Sequence, residues 1–356
     1  MTVKHYYFWL GTNAELIKIW PVINSFRKQH LPLQIIATGQ NDLFACKLFT
    51  ELSLDQLTLM INPIKEKTTA LGLLWWWIKT FTLCFIKLAK IPLSNKNSIV
   101  IVHGDTVSTL MGALFARIRG AKVVHIEAGL RSFNWLSPFP EEINRYLVSL
   151  LARYHFAPNA WALANLASMV GEKINTKHNT LLESLLLLPK NITLPENLQK
   201  TIKDKFLIFV CHRQENLAKK DFLPSMINLI KKELPKNWQC LFIVHHNTRQ
   251  TLIDNNLLQE LKRDKRFVLS SRLEYPQMIA AIKRAQFMLT DGGSNQEECY
   301  YLGKPCCILR THTERQEGLT SNAILSGNRP EIISNFIKNY RQYLQAPIKI
   351  KPCERL

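Results

Sequence analysis

Several short apolar runs in this chain are followed at once by residues that can do acid–base or phosphate chemistry. Aspartate, glutamate, histidine and glycine recur there, at positions 11–13, 39–41, 103–105, 127–129, 211–213, 245–247 and 291–293. Carboxylates and imidazoles carry protons, and glycine turns let backbone N–H groups approach a phosphate. This set of residues suits polar chemistry on a phosphorylated ligand.

The apolar runs predict two successive sets of parallel strands. Most runs are continuous rather than alternating, which is typical of strands buried on both faces. The predicted strands span residues 6–10, 34–38, 99–102, 123–126, 154–157, 206–210, 240–244, 267–270, 287–290 and 306–309. We therefore expect two doubly wound α/β domains, each binding ligands beyond the carboxyl ends of its strands.

The expected boundary between these domains lies near Asn175. Lys, Asn, Thr and Pro interrupt the periodicity over residues 172–203, which is the weakest stretch of the pattern. The predicted organisation is an N-terminal domain at 1–174, a C-terminal domain at 175–345 and a tail at 346–356.

Composition excludes several classes of protein. Hydrophobic residues make up 47% of the 356 residues, which excludes a disordered or fibrous chain. The eight cysteines include no C-x-x-C pair, which argues against a zinc ribbon or a disulfide scaffold and favours a cytoplasmic location. No metal ion is expected.

The net charge of +19 requires a separate interpretation. No helix-turn-helix, RNP or zinc-finger pattern accompanies the charge, so nucleic acid is not an expected partner. A solvated basic surface and attraction to an anionic membrane remain open.

Several motifs occur together and in order. They are Val-His-Gly-Asp-Thr at 102–106, His-Ile-Glu-Ala-Gly-Leu-Arg at 125–131, Ser-Pro-Phe-Pro-Glu-Glu-Ile-Asn-Arg at 137–145, Cys-His-Arg-Gln-Glu-Asn at 211–216 and Asp-Gly-Gly-Ser-Asn-Gln-Glu-Glu at 291–298. The chain thereby resembles the non-hydrolysing UDP-N-acetylglucosamine 2-epimerase family. The resemblance implies a GT-B fold, in which two Rossmann-like domains face each other across a cleft that binds a UDP-sugar. No cofactor is expected.

The resemblance also implies a reaction and its catalytic residues. In the family, UDP leaves together with the C2 proton, and it returns after C2 is reprotonated from the other face. The matching catalytic positions are Asp105, Glu127, Glu141 and His212. Neighbouring carboxylates have their pKa values pushed apart, which lets one donate while another accepts. Which carboxylate is the acid and which the base is open at this point.

A second group of residues is expected to bind substrate. It comprises Lys18, Gln40, Arg145, His245, Gly292, Gly293, Ser294, Glu298 and Arg315. The two glycines would bring a helix N-terminus to the diphosphate, and Glu298 would accept hydrogen bonds from ribose hydroxyls, as in the family. An ordinary glycine turn and a solvent-facing helix glutamate are the structural alternatives.

Two single positions and one three-residue motif depart from the family pattern. Asn13 stands where the family has an arginine that reaches the diphosphate, and Asn41 stands where it often has histidine. The last motif reads Gly-Gly-Ser at 292–294 instead of Ser-Gly-Gly. The proposed catalytic residues are retained, so the chemistry is expected to be kept, whereas the identity of the sugar nucleotide is open.

The segment 70–93 is apolar and rich in aromatic residues. It contains Trp75, Trp76 and Trp77, while Lys79, Lys87 and Lys90 share one edge of a helix. Tryptophan and lysine on one helix favour an anionic membrane surface, and an oligomer interface and a buried core helix are the alternatives. We expect a cytoplasmic homodimer, peripheral on the inner membrane face.

Further lysines flank this segment at positions 65, 67 and 96. If the tryptophans form one surface, replacing all three with Ser or Gln should release the protein without unfolding it. Unfolding would instead assign the run to the core.

The leading hypothesis is therefore a UDP-N-acetylglucosamine 2-epimerase for surface polysaccharide. The main alternative is a membrane-associated GT-B glycosyltransferase or lipid-linked-sugar enzyme, favoured by the tryptophan run and Asn13. A hydrolysing epimerase and a non-catalytic nucleotide-binding relative are the remaining alternatives.

Overall fold

The computed structural model describes residues 5–44, 46, 48–49, 53–54, 57–62, 70–91, 97–135 and 138–348. Lys65, Lys67 and Lys96 therefore lie outside the described residues. The chain forms two compact units that meet in sequence between Leu187 and Leu188. Each has a parallel sheet, as predicted.

The first unit contains a parallel sheet with the strand order β3-β2-β1-β4-β5-β6-β7 in the described part of the chain. The strands are β1 (His5–Leu10), β2 (Leu33–Ala37), β3 (Thr58–Met60), β4 (Ser98–His103), β5 (Lys122–Ile126), β6 (Tyr154–Ala157) and β7 (Glu172–Asn175). The helices are α1 (Asn13–Lys28), α2 (Ala70–Lys87), α3 (Val107–Ile118), α4 (Glu141–Leu151), α5 (Ala160–Ala164) and α6 (Thr180–Leu187).

The second unit repeats this plan with the order β10-β9-β8-β11-β12-β13 among its described residues. Its strands are β8 (Phe206–Val210), β9 (Gln239–Ile243), β10 (Phe267–Ser270), β11 (Met288–Thr290), β12 (Cys306–Ile308) and β13 (Ala323–Leu325). Its helices are α7 (Glu196–Thr201), α8 (Gln214–Leu217), α9 (Phe222–Glu233), α10 (His246–Asp254), α11 (Leu257–Arg263), α12 (Tyr275–Arg284), α13 (Gly293–Tyr301) and α14 (Pro330–Asn339), followed by a 3₁₀ turn (Tyr340–Tyr343).

All ten predicted strands are present, and three further strands lie at sheet edges. These are β3, β7 and β13; β7 has no continuous apolar run, and β3 and β13 are only three residues long. Strand β7 has the polar sequence Glu-Lys-Ile-Asn. Such a sequence is compatible with an edge strand, because an edge strand has only one neighbour and need not be buried on both faces.

The boundary between the two units lies about a dozen residues after the position expected near Asn175. Helix α6 belongs to the first unit because it packs against α1. The Ser184 hydroxyl on α6 donates a hydrogen bond to the Ile17 carbonyl at 2.5 Å. The polar stretch that follows β7 is therefore a connection within the first unit.

Helix α2 separates the three tryptophans. Trp76 is 3% exposed and packs against β1 and β4, whereas Trp75 is 71% exposed. Trp77 is partly buried, and its indole Nε1–H donates to the Val107 carbonyl at 3.0 Å. The expectation that all three form one removable surface is wrong, because the helix turns Trp76 into the core. Among the described helices, none has the length and apolar character needed to span a membrane.

This sidedness predicts opposite effects for two neighbouring substitutions. Trp76→Ala should lower the free energy of unfolding by about 3–5 kcal/mol, because it leaves a cavity in the core. Trp75→Ala should change it by less than about 0.5 kcal/mol, as is usual for an exposed side chain. Urea unfolding followed by circular dichroism measures both, and equal losses would contradict the placement of α2.

Candidate active site

The first loop of the N-terminal unit is fixed by the buried carboxylate of Glu15. It accepts hydrogen bonds from the backbone N–H groups of Gly11 (2.6 Å) and Thr12 (2.8 Å). It also accepts from the hydroxyls of Thr106 (2.6 Å) and Thr109 (2.8 Å), at the start of α3. Burial raises the pKa of Glu15 although these hydrogen bonds oppose the shift. Glu15 therefore joins the loops after β1 and β4.

Gly11 lies so close to α3 that a side chain would not fit. A Cβ at this position would stand 2.1 Å from the Ser108 hydroxyl oxygen. That hydroxyl donates to Gln40 Oε1 at 2.7 Å and is 2.8 Å from the Thr38 hydroxyl. Gln40, a predicted substrate-binding residue, is thus held at the same sheet edge.

The carboxylate of Glu127 is buried directly beyond β5. Its Oε2 accepts from the Lys18 ammonium and from the side-chain amide of Asn179, and His103 Nε2 is 3.9 Å away. Glu127 has a φ of +64°, a left-handed conformation that non-glycine residues rarely adopt. Such conformations concentrate at functional sites.

Asp105 follows β4, in an environment unlike that of Glu127. Its carboxylate pairs with Nη2 of Arg145, and its backbone carbonyl accepts from the Asn144 amide at 2.9 Å. The preceding turn is supported by His125, whose Nε2 is 2.8 Å from the Gly104 carbonyl. Burial lowers the pKa of His125 to about 4, so the imidazole is neutral at pH 7.

Arg145 is shared between Asp105 and a second acid, the fully buried Glu142. Glu142 accepts from Arg145 Nη1 at 3.2 Å and from Arg131 Nε at 2.5 Å. It also accepts from the Ser132 N–H at 2.9 Å. Burial opposes its ionisation, but the Ser132 N–H and the Arg131 guanidinium outweigh burial and lower the pKa of Glu142. Glu142 therefore ties the loop after β5 to the arginine that pairs with Asp105.

Glu141 begins α4, immediately before Glu142. A carboxylate in the first turn is favoured by the positive end of the helix dipole. The structure thus places Lys18, Gln40, Asp105, Glu127, Glu141 and Arg145 in the first unit, at or beside the loops that follow its strands.

In the second unit, the buried carboxylate of Asp291 organises the loop after β8. It accepts from the backbone N–H groups of His212 (3.0 Å) and Arg213 (2.9 Å), and it lies 3.1 Å from His212 Nδ1. Asn216 adds a fourth contact at 3.2 Å. Burial alone would raise the pKa of Asp291, but His212 and the N–H groups lower it to about 2. Asp291 is therefore ionised and orients the imidazole of His212.

His245 stacks on His212, with ring centroids 4.6 Å apart and planes inclined by 17°. Burial and then the neighbouring His212 lower the pKa of His245 to about 4. Of the two stacked imidazoles at the ends of β8 and β9, that of His245 is therefore neutral at pH 7.

The helix after β11 begins with Gly292 as its N-cap and Gly293 as its first residue, followed by Ser294. A Cβ on Gly293 would stand 2.8 Å from Arg315 Nε, so glycine permits this close approach. Arg315 Nη1 pairs with the buried Glu297 at 2.6 Å. Glu298, also buried, accepts from the Asn295 amide at 2.8 Å.

Several residues of these clusters were not among the predicted site residues, and four of them contact a predicted site residue directly. They are His103, Glu142, Asn179 and Asp291. Asp291 and Glu142 belong to the motifs at 291–298 and 137–145, which could have identified them. Asp291 also directly follows a predicted strand. Asn179 follows edge strand β7, which has no apolar run, so the strand pattern did not reveal it.

Glu142 supports a prediction about stability. Glu142→Gln should lower the free energy of unfolding by about 3 kcal/mol, because two arginines lose a buried partner. The matched control is Glu196→Gln, which breaks the exposed Glu196–Lys200 pair and should cost less than about 0.5 kcal/mol. Urea unfolding distinguishes the two variants, and equal effects would show that the Glu142 network contributes no more than a surface pair.

His125 supports a prediction about pH. Its pKa is about 4 in the folded chain against about 6.5 when unfolded, so the unfolded state binds more protons between these values. Its contribution to stability is complete above about pH 6.5 and falls as pH approaches 4, by up to about 1.4 kcal/mol per pH unit. His125→Gln should reduce the slope of unfolding free energy against pH. An unchanged slope would contradict a buried neutral imidazole.

Comparisons with known proteins match both units. The model of the family described as UDP-N-acetylglucosamine 2-epimerase matches residues 24–351. A relative of that name from Methanocaldococcus jannaschii is 31% identical over 340 residues, covering 91% of this chain and 89% of its own. One from Salmonella borreze is 31% identical over 353 residues, covering 95% and 89%.

Solved structures agree with these relatives. The Methanocaldococcus jannaschii UDP-GlcNAc 2-epimerase in complex with UDP-GlcNAc and UDP has a TM-score of 0.78 and 28% identity, covering 97% of this chain and 96% of its own. The Neisseria meningitidis UDP-GlcNAc 2-epimerase bound to UDP-GlcNAc has a TM-score of 0.75 and 29% identity, covering 95% and 92%. The predicted resemblance and fold class are confirmed, and this chain belongs to the UDP-N-acetylglucosamine 2-epimerase family, an enzyme family with two Rossmann-like domains of GT-B type.

Proposed function

We propose that this enzyme interconverts UDP-N-acetylglucosamine and UDP-N-acetylmannosamine, or a closely related pair, for surface polysaccharide synthesis. The observation that carries the proposal is the difference between two carboxylates of the first unit. Glu127 is buried against Lys18 and Asn179, whereas Asp105 pairs with Arg145. Epimerisation at C2 needs one group to remove a proton and another to return it.

The proposed reaction balances within the substrate and the protein. A carboxylate takes the C2 proton, the C1–O bond breaks, and its electron pair leaves with UDP while C1 and C2 form a double bond. A second acid then protonates C2 from the opposite face, and a phosphate oxygen of UDP re-forms the bond to C1. The Lys18 ammonium favours the ionised form of Glu127, which supports Glu127 as the base in one direction.

The second unit supplies groups for the departing diphosphate. The ionised Asp291 lies 3.1 Å from Nδ1 of His212, which leaves Nε2 as the ring nitrogen that can face a substrate. The N-terminus of α13 at Gly292 and Gly293 offers backbone N–H groups and positive potential. We assign His212 to the diphosphate and glycosidic oxygen, and Glu298 to the ribose.

The family assignment supports the epimerase over the glycosyltransferase alternative. The two relatives described above carry the epimerase name, and the two solved epimerase structures hold UDP-GlcNAc. The two hypotheses also differ in their need for an acceptor, because an epimerase turns over the free nucleotide sugar.

Incubation with UDP-N-acetylglucosamine in deuterated water tests the reaction. We expect deuterium at C2 of substrate and product, detected by mass spectrometry and NMR, because the proton lost from C2 is replaced from solvent. Turnover only with a polyprenyl-phosphate-linked acceptor would establish the glycosyltransferase instead. Accumulation of free N-acetylmannosamine would show a hydrolysing epimerase.

Glu127→Gln tests the assignment of the base. The variant should lower the rate of C2 exchange by about 10² to 10⁴, the usual contribution of an acid–base group. UDP affinity should stay within about threefold, since the proposed diphosphate and ribose contacts lie in the second unit. Glu172→Gln, an exposed glutamate of β7, is the matched control and should keep the wild-type exchange rate. Wild-type exchange in Glu127→Gln would remove Glu127 from the mechanism.

We further propose a cytoplasmic homodimer with peripheral attachment to the inner face of the membrane. The buried cysteines at positions 84, 211, 240, 299, 306 and 307 are free thiols, which supports a reducing compartment. Exposed apolar side chains on α4, Leu147 and Leu150, support self-association. Light scattering should give twice the chain mass of 41.2 kDa.

A further inference from the structure

Helix α2 presents an apolar stripe to the outside of the first unit. Trp75 and Ile86 are 71% and 68% exposed, and Leu74 and Ile78 are 53% and 44% exposed. At 100° per residue, Trp75, Ile78, Lys79, Thr82 and Ile86 lie within about 100° of one another on the helix. This α2 stripe is opposite the face that buries Trp76, Thr80 and Cys84.

The stripe has no polar group that requires water except its lysine. Thr82 is exposed, but its hydroxyl donates to the Ile78 carbonyl at 3.0 Å within the helix. Lys79 stands at the edge of the stripe, and Lys90 is exposed just past the end of the helix. Long lysine side chains place their stems along an apolar surface and their charge at its rim.

The stretch of sequence that contains α2 carries charge of a single sign. Residues 67–104 include no Asp or Glu but contain Lys67, Lys79, Lys87, Lys90 and Lys96. Helix α3, which adjoins α2, also presents a basic and an apolar side chain to the outside. The ring centroids of Phe115 on α3 and Phe85 on α2 are 5.0 Å apart. Arg117 and Ile118, which follow on α3, are both exposed.

A second copy of this chain would be a poor occupant of such a surface. A two-fold interface apposes the same patch on both copies, so Lys79 would approach basic residues of the partner with no acid on α2 to pair with. An anionic lipid surface instead offers negative charge for the lysines and an apolar layer for Trp75 and Ile86.

We propose that the α2 stripe binds the enzyme to an anionic lipid surface, with Trp75, Ile78 and Ile86 entering the headgroup boundary. Helix α2 lies in the interface plane rather than across it, because its other face is part of the protein core. This lipid-binding surface rests on the membrane location proposed above. It does not depend on the proposed reaction, because turnover is measured separately on the same variants.

Co-sedimentation of the full-length protein with vesicles tests the proposal. At 0.1 M salt, vesicles of phosphatidylglycerol and phosphatidylcholine should bind the protein at least about tenfold more strongly than vesicles of phosphatidylcholine alone. At 1 M salt this difference should shrink, because the screening length falls to about 3 Å. Trp75→Ser/Ile86→Ser should lower this binding at least about tenfold. Lys79→Gln/Lys90→Gln should remove most of the preference for anionic vesicles.

The matched control is Val170→Ser/Ile253→Ser, which removes two exposed apolar side chains outside α2 and should leave vesicle binding unchanged. Circular dichroism and C2 exchange should match wild type in every variant, so loss of turnover bears on the proposed reaction and loss of binding on the stripe. No binding of wild type to anionic vesicles would overturn the proposal. So would a Trp75→Ser/Ile86→Ser protein that binds normally, or one that only changes from dimer to monomer.

Discussion

The constraint that governs this enzyme is that a carboxylate buried at a strand end must be matched by donors. Glu127 is 7% exposed, in a region where an unpaired charge would be expelled or neutralised. Lys18 from α1 and Asn179 beyond β7 provide that match. Three separate parts of the first unit, at positions 18, 127 and 179, are therefore brought together by one charged group.

The second unit solves the same problem with backbone donors rather than a cation. Asp291 accepts from the N–H groups of His212 and Arg213 and from Asn216, and it orients the imidazole that we assign to the diphosphate. Glu15 plays a corresponding part in the first unit, where hydroxyl and N–H donors surround it. Each buried acid holds a loop in place, and the loops carry the residues proposed to act on the substrate.

Sequence predicted the interior of both sheets and the strand-end acids but not their partners. Continuous apolar runs identify strands buried on both faces, whereas edge strand β7 has no such run and edge strands β3 and β13 are only three residues long. Asp105 and Glu127 are identifiable because they directly follow such runs. The Lys18–Glu127 pair joins residues 109 positions apart, a contact that local spacing does not specify. Helix α2 is apolar on most of its surface, so only packing against β1 and β4 distinguishes buried Trp76 from exposed Trp75.

We propose that Lys18 and Glu127 act as one unit in C2 chemistry, and a double-mutant cycle tests this coupling. C2 deuterium exchange is measured for wild type, Lys18→Met, Glu127→Gln and the double variant, with circular dichroism confirming the fold. We expect strong non-additivity, in which the double variant is no slower than the slower single variant, because each residue works through the other. Losses in log rate that add in full would show that Lys18 and Glu127 act independently.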